Sequence, residues 1–444
     1  MSGITIGLLI FAFLLSMMVV RVPIGIAMFF AGSGGYIYLL GGEWLPWLNQ
    51  LKTLPYARLS NYDLIVIPLF LLMGQFATNG GLSSSLFRCV NAFMGHRRGG
   101  VAMAAVGACA GFGAICGSSL ATAATMGQVT LPELRRYGYA GSLSTGALAA
   151  GGTLGIMIPP SVPLVIYAIL TQESIGKLFM AAVIPGLIAM AGYMLVIQLL
   201  VSWKPELGPA GPRASWSERI SALVRVIPVL LVFMVVIVGI YGGWANPTEA
   251  AAIGAAACGV LAIVSGGMRF KGLVDCALGT AQATAMIFLV LMGADMLNTA
   301  LALSQMPAEL AAWVKGSGLP PLLVLTMILL IYILLGCVMD SLAMILLTIP
   351  IFYPMVMGLD FFGLPDADKS IWFGILALMV VEIGLVHPPV GMNVYIINRL
   401  AKDVPLVETF KGVMPFLLSD LIRIVAMVLF PGTALFLVHN LSGG

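Results

Sequence analysis

Residues 151–163, GGTLGIMIPPSVP, set three glycines and three prolines in an otherwise apolar run. Each proline lacks a backbone N–H and clashes with the preceding turn, and it pushes the residue before it away from helical angles. Glycine adds conformational freedom and close approach. The stretch therefore predicts a helix in two halves, joined by an unwound link with exposed carbonyl oxygens. Such oxygens, at the negative end of a half-helix, suit a small hard cation. Sodium suits the donors better than a transition metal, because no cluster of thiolates or imidazoles accompanies them. EIGLVHPPVGMN (382–393) repeats the arrangement. Two further stretches supply side chains: CGSSLA (116–121) offers the hydroxyls of Ser118 and Ser119, and CVMDSLA (337–343) offers the Asp340 carboxylate and the Ser341 hydroxyl. An acid at mid-membrane costs about 2.5–3.5 kcal/mol on insertion scales, which a bound cation would offset. The pattern predicts two pseudo-equivalent cation sites. An organic anion would lie between them, held by backbone N–H groups, by the hydroxyls of Ser118, Ser119, Ser161 and Ser341, and by Asn393.

Each of these residues has a plainer reading. A lone Pro-Pro pair is a kink, and serines in membrane helices are often small packing residues. Asp340 could be a hydrogen-bonded interior acid. His387, opposite Ile158 in the paired stretch, reads as a packing residue before a proton relay. Glu382 is either a gating acid or an edge charge. What favours sites is recurrence: Pro-Pro beside glycine occurs twice, at matching places.

The elements that position these residues must span a membrane. Hydrophobic residues make up 60% of the chain and charged residues 9%, against about 25% charged in a soluble domain; the mean hydropathy is +1.07. Runs such as 4–20, 187–201 and 227–244 approach or reach the ~20 residues of a spanning helix. The segments around CGSSLA and CVMDSLA are each too short on either side of their polar tips to cross, and a polar turn at that depth is tolerated only inside protein or beside a water-filled cavity. Both are expected to be re-entrant hairpins, at about 99–134 and 319–357, with tips near the midplane. The broken helices are expected at about 140–170 and 370–399. GEWLPWLNQLKTLPYARL (42–59) reads as an arm helix lying along the interface, and equally as a docking surface for another subunit.

The two halves resemble each other. LLMGQF (71–76) pairs with VLMGAD (290–295), CGSSLA with CVMDSLA, LGIMIPPS (154–161) with IGLVHPPV (383–390), and more weakly RVPIGIA (21–27) with ANPTEAA (245–251), all in the same order. Such duplication is a common ground plan of secondary transporters. The polar interval 202–225 divides the chain into residues 1–201 and 226–444, and its basic excess assigns it to the cytoplasm. Arg97, Arg98, Arg135 and Arg136 flank the first hairpin, whereas Asp360, Asp366 and Asp368 lie beside the second. By the same rule the first hairpin starts inside and the second outside, so the repeats are inverted.

Several functions are disfavoured. The net charge of +3 is small and spread over loops, so no nucleic-acid partner is expected. The six cysteines are scattered without CxxC or Cys/His spacing, which supports neither a zinc site nor a disulfide framework. With no HExxH, no GxSxG and no plausible Ser/His pair, an enzyme is not expected. The methionines read as filler for irregular cores. The first apolar run lacks a basic leader and a small-residue cleavage site and is expected to be retained.

GAICGSSLATAATMGQVTLPEL (113–134), GTLGIMIPPSVPLVIYA (152–168), NPTEAAAIGA (246–255) and HPPVGMNVY (387–395) resemble the large membrane subunit of tripartite ATP-independent periplasmic (TRAP) transporters, over nearly the whole chain. The resemblance implies an all-α polytopic membrane protein with an inverted-repeat, elevator-type fold like that of the ion-transporter superfamily. It implies sodium-driven import of an organic acid, a carboxylate or sialic acid, across the bacterial inner membrane. A periplasmic binding protein delivers the substrate in that family, and a small four-helix membrane subunit completes the complex. Here the small subunit is expected on a separate chain. Carried over residue by residue, one sodium site falls on Ser118, Ser119 and the backbone around Gly155, Ile158 and Pro160. The other falls on Asp340, Ser341 and the backbone around Gly384, His387, Pro389 and Met392. His387 departs from the pattern, standing where a small polar residue is usual. The alternative is a stand-alone carrier of related elevator fold that needs no binding protein.

Overall fold

The computed structural model describes residues 2–441, and among these the regular structure is entirely helical. Seven helices among the described residues are long and apolar enough to cross a membrane, or eight if a pair bent by 41° counts as one span. That pair is Gly141–Met157 and Val162–Thr171, with Ile158–Ser161 between them. The second interruption separates Asp366–Val386 from Met392–Leu400.

The helices pack in two groups. Phe270–Leu303 lies along Ile24–Leu39, and Pro247–Val264 along Val66–Asn79; with Gly3–Val19 and Trp216–Tyr241 they make an outer framework. Large apolar side chains such as Leu230, Leu231, Val235 and Val260 face outward from it, as surfaces meant for lipid do. The inner group gathers on Asp366–Val386, whose membrane-length window is wholly buried. One helical pair, Gly100–Cys116 with Ser119–Arg136, packs on Gly141–Met157. Another, Pro321–Gly336 with Ser341–Met357, packs on Asp366–Val386. The second halves then cross over: Val162–Thr171 packs on Ser341–Met357, and Met392–Leu400 on Ser119–Arg136.

Glycine permits the closest of these approaches. A Cβ on Gly113 would lie 2.6 Å from the Gly155 Cα, and one on Gly336 2.8 Å from the Gly384 Cα. Each helical pair thus meets its interrupted helix backbone to backbone, one turn before the break.

Two boundaries differ from expectation. The linker is shorter than 202–225, because Ile175–Trp203 runs into it and Trp216–Tyr241 begins inside it. A capping box explains the early start: the Ser215 side chain accepts from Glu218 N, while the Glu218 carboxylate accepts from Ser215 N at 2.7 Å. Such reciprocal capping satisfies two otherwise orphaned donors. The polar residues read as linker are therefore the emergent ends of two helices. The arm helix covers Trp44–Leu59, and Arg58 near its end forms a bidentate ion pair with Asp295 on Phe270–Leu303.

Candidate functional site

The tips of the two helical pairs meet. Gly117, Ser118 and Ser119 line one small cavity together with Asp340 and Ser341. Its volume is about 160 Å³, and Leu71, Met286 and Ile287 of the outer framework close it. Gly117 holds φ +63°, and a Cβ there would also lie 2.9 Å from the Pro160 carbonyl oxygen. Only glycine fits that turn without strain.

The tip residues have local duties as well. Ser118 Oγ accepts from Ala121 N at 3.4 Å, and Asp340 Oδ1 accepts from Ala343 N at 2.8 Å. Both are N-caps, the first of Ser119–Arg136 and the second of Ser341–Met357. Ser, Thr, Asp and Asn are favoured there because the side-chain oxygen satisfies a free N–H. Two helix N-termini therefore open on the cavity, and Val162 and Pro163, which begin Val162–Thr171, add a third. Positive helix ends attract anions, while the Asp340 carboxylate in the same wall attracts cations.

The first interruption is the more buried of the two. Ile158 is half-buried, and Pro159, Pro160 and Ser161 are buried. Among the described residues the Ser161 hydroxyl has no hydrogen-bond partner; the buried Thr122 stands on the helix after the first tip. Thr122 lies one turn beyond Ser118 and against Gly155. Sequence reasoning passed over it, although i, i+4 spacing puts both residues on one helix face. At the second interruption His387, Pro388 and Met392 are half-buried and Pro389 is exposed. The His387 Nδ1 lies 3.5 Å from Cys337 Sγ of the neighbouring tip. Pro159-Pro160 and Pro388-Pro389 are cis.

Asn393 is not among the residues that line this cavity. It is buried, donating to Ser119 Oγ at 2.8 Å and to the Ala149 carbonyl at 3.3 Å, with Oδ1 unpaired among the described residues. The second interrupted helix is thereby bonded to the first tip.

Glu382 is not an edge charge. It is fully buried, 3.3 Å from Arg423, which also pairs with Asp420 at 2.9 Å. Tyr193 donates to Asp420 at 2.9 Å, and Thr153 lies 3.1 Å from the Tyr193 hydroxyl. Thr153 and Glu382 each precede an interruption by a few residues, so this network ties the two interrupted helices together. Asp420, Arg423 and Tyr193 carry no sequence signal beyond being polar in apolar helices. Rare ionisable residues in such helices pair with one another, which is the one general pointer to them.

The chain matches a family model described as "Tripartite ATP-independent periplasmic transporter, DctM component" over residues 11–433. It is 35% identical to a C4-dicarboxylate TRAP transporter large permease protein of Pseudomonas aeruginosa, covering 86% of this chain and 88% of that one. It is 30% identical to a sialic acid TRAP transporter large permease protein of Vibrio cholerae, over 87% of this chain and 88% of the relative. Identity is also 30% to an ectoine TRAP transporter large permease protein of Halomonas elongata, over 96% and 97% of the two chains. The crystal structure of the YdaH transporter of Alcanivorax borkumensis superposes with a TM-score of 0.62 at 14% identity, over 88% of this chain and 89% of that one. That likeness bears on the fold alone. Two interrupted helices, two helical pairs whose tips share one small cavity, a matching family model along most of the length and permease relatives covered nearly end to end point the same way: this chain belongs to the TRAP transporter family, as its large permease subunit.

Proposed function

We propose that this protein imports a small organic acid across the bacterial inner membrane, driven by co-transported sodium, by an elevator movement of the inner helix group against the outer framework. The two helical pairs are then re-entrant hairpins, and residues 1–201 and 226–444 are inverted repeats. A periplasmic binding protein delivers the substrate, and a small four-helix membrane subunit completes the transporter. The chain itself performs no bond chemistry.

One observation carries the reading: Asp340 and three helix N-termini line the same cavity of about 160 Å³. A carboxylate cargo is drawn by the helix ends but repelled by Asp340. Two like charges 4 Å apart oppose each other by about 4 kcal/mol at an effective dielectric constant of ~20. A cation bound among Asp340, Ser341 and the oxygens near Gly384, His387, Pro389 and Met392 removes that repulsion. A second, among Ser118, Ser119 and the oxygens near Gly155, Ile158 and Pro160, adds positive charge. Cargo and cation then enter together, which is symport. The cavity is below the ~300–1,000 Å³ of drug-sized sites, which favours a compact acid. The cargoes for which the relatives are named (a C4-dicarboxylate, sialic acid and ectoine) share a carboxylate.

The test is uptake of a radiolabelled C4-dicarboxylate into proteoliposomes holding this chain and its small subunit. An inward sodium gradient with the substrate-loaded binding protein should drive accumulation, and collapsing the gradient should stop it. Accumulation indifferent to sodium would sink the coupling. Accumulation without the binding protein would instead make this a stand-alone carrier.

A further inference from the structure

We propose that the cleft between Leu82–Met94 and the first turns of Trp216–Tyr241 binds the phosphate headgroup of an anionic phospholipid. The cleft has a volume of about 410 Å³. Ser85 and Arg88 enter it from the first helix, and Ser217, Ser221 and Arg225 from the second. The spacings i, i+3 and i, i+4, i+8 put each set on a single helix face. Three hydroxyls and two guanidinium groups thus converge from two helices, the donor set that recognises a phosphate.

Neither Arg88 nor Arg225 has an ion-pair or hydrogen-bond partner among the described residues. Glu218 also lines the cleft, but its carboxylate is engaged by Ser215 N at 2.7 Å and Ser215 Oγ at 2.9 Å. A third arginine fixes the walls. Arg219 donates to the Ala92 carbonyl at 3.1 Å, and its guanidinium lies 5.0 Å from the Trp216 ring centroid and 5.8 Å from that of Phe93. The surrounding field is positive: desolvation, and then Arg213, Arg219 and Arg97, lower the pKa of His96 in the adjoining loop.

A lipid fits better than a soluble anion. Exposed Ile220, Leu223, Val224 and Ile227 run from the cleft along the outer surface of Trp216–Tyr241, a track for acyl chains, and Trp216 and Phe93 stand exposed beside its mouth. Aromatic residues mark headgroup level, and basic pockets between helices on the cytoplasmic side take anionic headgroups. The site follows from the cytoplasmic assignment of the linker and is independent of sodium coupling.

The experiment is native mass spectrometry and thermal unfolding of the full chain, with phosphatidylglycerol or phosphatidylcholine added. Roughly fivefold per juxtamembrane arginine gives about a thirtyfold preference for phosphatidylglycerol. Arg88→Gln with Arg225→Gln should abolish that preference and the accompanying rise in Tm; each single variant should lose about fivefold, which serves if the double variant folds poorly. Arg97→Gln with Arg98→Gln, in the neighbouring loop, should retain the preference. An unchanged preference in the double variant would overturn the proposal, as would equal loss in the loop variant, which would mean diffuse surface charge. Inorganic phosphate that alone reproduced the stabilisation would also overturn it, in favour of a soluble-anion site.

Discussion

Gly113→Ala tests whether the first interruption is a packed, ion-binding junction. The added Cβ would lie 2.6 Å from Gly155 Cα, 3.0 Å from Gly155 N and 3.1 Å from the Leu154 carbonyl oxygen. All three are backbone atoms, which cannot rotate away. Carbon atoms rest about 3.5–4.0 Å apart, so the helix must back off by about 1 Å, carrying Ser118 and Ser119 away from the Gly155–Pro160 oxygens. Overpacking of this kind costs about 1–3 kcal/mol. Gly111→Ala is the control, because the nearest atom to its Cβ would be Leu86 Cδ2 at an ordinary 3.5 Å. Both variants gain the same helix propensity, so it cancels between them. The assay is sodium-dependent uptake in proteoliposomes at matched protein. Half-saturating sodium should stand about tenfold higher in Gly113→Ala than in Gly111→Ala, the equivalent of about 1.4 kcal/mol. Superimposed sodium curves at equal abundance would refute the reasoning.

Asp340→Asn keeps an N-cap side chain but removes its charge, so the protein should remain folded while substrate binding becomes less dependent on sodium; calorimetry with and without sodium reads this directly. An unaltered sodium requirement would take Asp340 out of the site. Arg423→Met strands the Glu382 and Asp420 carboxylates in a buried position and should cost about 3–5 kcal/mol, seen as a large fall in Tm. Tyr193→Phe removes the hydroxyl that bonds to Asp420 and Thr153 but leaves the ion pairs intact, and should cost about 1–2 kcal/mol. Equal losses in these two variants would contradict the ion-pair assignment. Asn393→Leu should lower both Tm and uptake, since it deletes the bond to Ser119 and buries an isobutyl group beside that hydroxyl, at about 1–3 kcal/mol; wild-type values in both would show that bond to be dispensable.

Much of the architecture was legible because its causes are local. A proline cannot donate wherever the chain later goes, so the helix interruptions beside Pro159-Pro160 and Pro388-Pro389 could be read from residue type. The same holds for the arm helix, and for the polar tips at Ser118 and Asp340, whose N-capping needs only the next three residues. Apolar composition alone demanded a bilayer. The linker was misjudged at its edges because polarity marks exposure to water, not the end of a helix, and the Ser215–Glu218 capping box extends helix into polar sequence. Tertiary packing decided the rest. It crossed the second half-helices over to the opposite tips, joined Asn393 to a serine 274 residues away, and set Arg423 between Glu382 and Asp420. It also turned Thr122 toward Gly155. Those partners are selected by which helix faces can approach closely enough to bury polar atoms in pairs, and an amphipathic pattern records a face without naming what it meets.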